Sequence, residues 1–210
     1  MRQSSSRAVV LSAFAALALS ACGGAVRSSA EFRELAALNR QPHSPADVRF
    51  MTMMVPHHAQ AVLFAGWAES HGASRAIAVF CARMVVAQQD EIVTMRDWLQ
   101  ERDEEAPPAE YMRMRMAEDP VHDMPGMLSE AELTELDNAR GADFDRLFLT
   151  YMIPHHQGAL SMVGELFDSP RGAQNDFVFK LASDIHADQE IEIERMQVLL
   201  AGNRPLAPRP

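Results

Sequence analysis

Two blocks of this chain carry the same set of soft and borderline donor side chains. Asp47, Phe50, Met54, Pro56, His57, His58 and Ala61 recur in order and spacing as Asp145, Phe148, Met152, Pro154, His155, His156 and Ala159, 98 residues further on (54 to 152). Thioether and imidazole suit copper-like ions, so a duplicated Met-x-Pro-His-His unit predicts a metal site with internal pseudo-symmetry. A second repeat accompanies it: Gln88, Glu91 and Met95 return as Gln189, Glu192 and Met196, 101 residues on (95 to 196).

These residues need elements to aim them. Ser44-Pro45 supplies an N-cap with proline at the first helical position, and Asp47 places a negative charge at the positive end of the dipole, so a first helix should start there and run to about His71-Gly72. Phe50, Met54, His57, Ala61, Phe64 and Ala68 then share one face by alternating steps of four and three. Ser74 can cap a second helix with the stripe Ile77, Cys81, Met84, Gln88, Glu91, Met95 and Trp98, stopped by a charged run and Pro107-Pro108. Ser129 and Glu132 form a capping box for a short helix, with Gly141 as the break after it. A third long helix carries Phe148, Met152, His155, Ala159, Met162 and Leu166, and ends at Ser169-Pro170. A fourth carries Leu181, Ile185, Gln189, Glu192, Met196 and Leu199. Strand signals are few. The fold class is all-α: a four-helix bundle made of two repeated helix hairpins about a pseudo-two-fold axis.

Closing that bundle puts polar groups inside it. His57 and His155, as the inner pair, meet Gln88, Glu91, Gln189 and Glu192, and a buried charge without a partner costs several kcal/mol, on the order of a whole core contact. A cation joining imidazoles and carboxylates would satisfy them. Met54 lies three residues before His57 and four before His58, so thioether and imidazole can face one space, and Met152 repeats the arrangement. Adjacent histidines point about 100° apart, so His58 and His156 face a helix interface. Pro56 and Pro154 each remove one helical hydrogen bond just before the histidines. Taken singly, Met84, Met95, Met162 and Met196 read as core packing. Cys81 reads as a buried apolar thiol, His71 as a charge at a helix C-terminus and His43 as exposed. The run Met112, Met114, Met116, His122 and Met124-Pro125-Gly126-Met127 fits two roles equally: surface capture of Cu(I), or a plug closing one end of the bundle.

The N-terminus reads as an export leader over residues 1–21: Arg2 and Arg7 precede the apolar stretch Val9 to Leu19, which is too short to span a bilayer as a mature helix. Leu19-Ser20-Ala21-Cys22 is similar to a lipoprotein cleavage box, making Cys22 the lipidated first residue and a membrane anchor. Residues 22–43 are then a tether, 44–200 the duplicated domain and 201–210 a tail. Only Cys81 remains beyond the leader region, so the folded domain has no internal disulfide to form. The net charge of −10, without basic clusters, argues against nucleic acid.

The two Met-x-Pro-His-His blocks, Glu91-Ile92-x-x-Met95, Glu192-Ile193-x-x-Met196 and Met124-Pro125-Gly126-Met127 together resemble the bacterial domain-of-unknown-function family 305 over roughly residues 44 to 200. That resemblance implies a ferritin-like four-helix bundle, exported to the periplasm or cell surface, with some members associated with copper. Carried over by position, the marked residues are His57, His58, His155, His156, Met54, Met152, Glu91 and Glu192. One departure stands out. Ferritin-like di-iron sites use Glu-x-x-His, whereas Thr94 and Arg195 stand three residues after Glu91 and Glu192, which disfavours di-iron chemistry. The functional expectation is a lipid-anchored extracytoplasmic protein that sequesters or delivers copper, rather than an enzyme. The alternatives are a structural or partner-binding lipoprotein without metal, and a redox metalloenzyme; no phosphate loop or nucleophile elbow supports other catalysis.

Overall fold

The structure, a computed structural model, describes residues 42–108 and 124–202. Five helices account for most of it: α1 (Pro45–Ala65), α2 (Arg75–Gln100), the short α3 (Glu130–Asn138), α4 (Ala142–Asp168) and α5 (Asp176–Gly202). There are no strands among the described residues, and no described helix is long and apolar enough to cross a membrane. The leader, Cys22, the tether up to residue 41, Met112, Met114, Met116 and His122, and the tail from residue 203 lie outside the described residues.

Local chemistry explains most of the boundaries. Ser44 caps α1 in a full capping box with Asp47, and Ser129 does the same for α3 with Glu132. Ser74, in contrast, makes no side-chain cap for α2. The first helix is also shorter than its pattern suggests, because it gives way at Gly66 to irregular turns that continue to Gly72, whose φ of +69° needs glycine. Ala68 and His71 stay buried although they are no longer helical, so the apolar pattern outlasts the helix. Both α1 and α4 continue through their internal prolines.

Helices α1 and α2 form one hairpin, α4 and α5 the other, and the hairpins meet chiefly through α1 and α4. The duplicated aspartates lock them together. Asp47 is fully buried at the start of α1 and accepts the Ala173 N–H, 2.7 Å away in the α4–α5 turn. Asp145, buried at the start of α4, accepts the Ser74 N–H in the α1–α2 turn at 3.1 Å. Each hairpin thus caps the turn of the other, which is what a pseudo-two-fold axis requires.

The core divides in the same way. One apolar cluster joins Phe50, Met54, Ile92, Met95, Met162 and Ile185; the other joins Phe64, Cys81, Met84, Phe148, Met152 and Met196. Phe50, Met54, Ile92 and Met95 have their repeat partners Phe148, Met152, Ile193 and Met196 in the opposite cluster. Between these two apolar ends lies a polar waist.

Candidate metal centre

The waist is built from the middle turns of the four long helices. His57, His58, His155 and His156 are all buried, each at most 1 % exposed, and Gln88 and Gln189 are buried beside them. The His57 and His155 rings lie across the α1–α4 seam with centroids 3.9 Å apart and planes tilted by 38°. They are the inner pair that the stripes predict. The outer two turn toward their own hairpin: His58 Nε2–H donates to Glu91 at 2.8 Å, and His156 Nε2–H donates to Glu192 at 2.7 Å. The carboxylates therefore hold the outer histidines rather than the inner ones.

Burial sets the charge state of the rings. Desolvation lowers the pKa of His57 to about 3, helped by the nearby His58, and pushes His155 well below the ordinary imidazole value, helped by like-charge repulsion from His57 beside it. His156 is lowered too, again mainly by burial, against an upward pull from Glu192. These three rings are neutral at pH 7, which is the ligand form.

Hydrogen bonding then fixes which nitrogen is free. A carboxylate or carbonyl oxygen only accepts, so His57, hydrogen-bonded through Nε2 to the Pro125 carbonyl at 3.1 Å, carries its proton there, as His58 and His156 do toward Glu91 and Glu192. Among the described residues their Nδ1 atoms, and both ring nitrogens of His155, are buried without a hydrogen-bond partner, as is Gln88 Oε1. Buried polar atoms are seldom left so. An imidazole that donates one N–H to a carboxylate or carbonyl while offering its other nitrogen is the usual arrangement of a metal-bound histidine. The donor set fits a borderline or soft cation. Among the described residues no three His, Cys, Asp or Glu side chains already converge as a coordination sphere, so a cation held here would need ring rotation or thioether donors to complete one.

The remaining expected residues fall around this centre. Met54 and Met152 are fully buried one turn before the histidines, one in each apolar cluster flanking the waist. Glu91 and Glu192 keep some solvent contact, 16 % and 21 % of their side chains, and their charges together with burial raise the pKa of Asp188. Cys81 is a free buried thiol inside an apolar cluster, and burial raises its pKa to about 12, as an inert core residue requires. His71 lies beyond the end of α1 rather than on its last turn: it is buried, stacked on Trp67, with Nε2 at 3.0 Å from the Asp137 carbonyl and 3.1 Å from the Asp137 carboxylate, and it ties the α1–α2 turn to the end of α3.

Sequence reasoning missed the role of Met124 to Leu128. This segment closes no end of the bundle: it crosses the waist, with Met124 buried in the Phe50 cluster and the Pro125 carbonyl on His57. A signal was present in Gly126 and Gly158, whose missing side chains allow the contact. A Cβ at Gly126 would lie 2.4 Å from the Pro154 carbonyl oxygen, and one at Gly158 would lie 1.8 Å from that of Pro125.

The fold and site define a class: an internally duplicated four-helix bundle with a histidine waist. Its family model is described as Domain of unknown function (DUF305) and matches residues 47–200; the chain belongs to that family. A DUF305 fragment from Deinococcus radiodurans is 28 % identical with a TM-score of 0.65, covering 77 % of this chain and 99 % of its own. A candidate secreted DUF305 protein from Streptomyces coelicolor is 25 % identical with a TM-score of 0.64, covering 75 % and 93 %. CopM in its Cu(II)-bound form is 28 % identical with a TM-score of 0.60, covering 74 % and 96 %; Cu(I)-bound and silver-bound forms of CopM match as well. No curated protein matches.

Proposed function

We propose that this protein is an exported, lipid-anchored copper-binding protein that sequesters or delivers the ion through its histidine waist. The observation that carries the reading is the set of partnerless Nδ1 atoms on His57, His58 and His156, each on a ring whose Nε2–H is already held, together with the unpaired His155. Met54 and Met152 supply thioethers for Cu(I), and Glu91 and Glu192 orient the outer rings and balance charge. The ion is cargo. It enters past Glu91, Glu192 and Asp188, where acidic side chains reach solvent and raise the local cation concentration. The copper- and silver-bound CopM structures and the secreted relative support metal and export. Cys22 after an apolar leader supports the anchor.

Titration of the purified protein with Cu(I) against a chelator of known affinity, and separately with Cu(II), tests the metal. Saturable binding is expected, weakened at least about tenfold by His57→Ala combined with His155→Ala. Absence of saturable binding, or affinity unchanged in the double variant, sinks the reading. For the anchor, Cys22→Ser should move the protein from the membrane to the soluble fraction of its host.

A further inference from the structure

Among the positions where the two repeats differ, Gln60 and Gly158 lie beside the inner histidines. Gln60 stands three residues after His57, and Gly158 stands three after His155. In the folded protein both serve the same strap. Gln60 is 1 % exposed and spends its whole amide on the backbone of Leu128: Nε2 donates to the Leu128 carbonyl at 3.0 Å, and Oε1 accepts the Leu128 N–H at 2.9 Å. Gly158 provides the gap in α4 into which the Pro125 carbonyl descends, at a distance no Cβ would permit. One residue pins the end of the strap, and the other seats its middle.

We propose that Gln60 and Gly158 are positioning residues for the waist: by clamping Met124 to Leu128 they hold the Pro125 carbonyl on His57 Nε2, which fixes the Nε2–H tautomer and leaves Nδ1 as its donor atom. Among the described residues nothing else hydrogen-bonds the His57 ring, so the tautomer depends on this one carbonyl. Among the described residues the strap has no counterpart on His155, neither of whose ring nitrogens has a side-chain or strap partner. Two histidines made equal by the repeat are thereby made unequal: His57 is preset by the strap and His155 is not. That Nδ1 of His57 serves as a ligand atom rests on the copper reading above; the control of its tautomer does not.

The test is therefore made first on the metal-free protein. Long-range proton–nitrogen correlation spectra should show His57 protonated at Nε2 and bare at Nδ1. Gln60→Met keeps the side-chain length and removes both hydrogen bonds, so His57 should redistribute to a mixture of tautomers while the His58 and His156 signatures stay in place. Gly158→Ala should do the same by lifting the carbonyl; should that variant fail to fold, Gln60→Met decides alone. Copper affinity should fall about tenfold in Gln60→Met, the usual effect of losing the support of a ligand. An unchanged His57 tautomer in a folded Gln60→Met overturns the proposal even if copper binds. A shifted tautomer in a protein that binds no copper sustains it and removes the copper reading instead.

Discussion

At the scale of single residues, the waist buries polar ring atoms without partners among the described residues, and that burial has a cost. His155 shows this most clearly, because it is buried beside His57 and Phe64 with both ring nitrogens unpaired. An unsatisfied buried polar group costs roughly 1–3 kcal/mol, so His155→Leu, which removes the group without orphaning any partner, should stabilise the metal-free protein by about 1–2 kcal/mol. The pH dependence follows from the same burial. Folded-state pKa values of His57, His155 and His156 lie below the ordinary 6.5, so the unfolded chain binds more protons and stability falls as pH drops from 6.5 toward 3, the value for His57. Above 6.5 these rings are neutral in both states and contribute no slope. Each such histidine adds about 1.4 kcal/mol per pH unit inside the window. Urea denaturation at pH 7.5 and pH 5 should therefore show a steep acid loss in the native protein and a shallower one in His155→Leu. Equal slopes in the two proteins would exclude His155 as a contributor.

At the scale of elements, the duplicated aspartates do more than favour helix starts. Asp47 accepts the Ser44 N–H at 2.8 Å within its own cap and the Ala173 N–H at 2.7 Å from the other hairpin, and Ala173 has a φ of +53°, a backbone state that this bond helps to hold. Hydrogen bonds to a charged group contribute about 1.5–3 kcal/mol each, so Asp47→Ala should lower stability by about 3 kcal/mol, and Asp145→Ala by less, since it loses only the Ser74 N–H. Chemical denaturation of the two variants checks the order; an Asp47→Ala protein within 1 kcal/mol of the parent, roughly the effect of a lost helix cap alone, would refute the cross-hairpin lock. The repeat announced that Asp47 and Asp145 were equivalent but not that each reaches the turn of the opposite hairpin, because a periodic pattern reports the face of a helix and not its neighbour. The four stripes were legible for that reason: Phe50, Met54, His57, Ala61 and Phe64 are all buried along α1. Pairing of Glu91 with His58 rather than His57 was not, since both rings lie within reach of one carboxylate by spacing alone. Nor was the strap, whose irregular backbone has no period to read; only Gly126 and Gly158 marked it.

At the scale of the whole molecule, two apolar clusters flank a buried polar layer, in a chain whose net charge is −10. On the proposed copper reading, the stability of the bundle comes under the control of its cargo. A ligand that binds only the folded state adds RT ln(1 + [L]/Kd), about 2.7 kcal/mol at a free concentration one hundred times Kd. Because His57 and His155 face each other across the α1–α4 seam, an ion held by both would join the two hairpins, and on the proposed copper reading the whole bundle should melt later as one cooperative unit rather than in halves. Copper should raise the melting temperature of the native protein in proportion to the logarithm of its free concentration, and the rise should shrink in acid as protons compete for the imidazoles. Calorimetry at pH 7.5 and pH 5, with His57→Ala combined with His155→Ala alongside, measures both effects. A copper-dependent shift that persists undiminished in the double variant would place the ion away from the waist, and a shift confined to one of two separate transitions would show that the hairpins bind it independently.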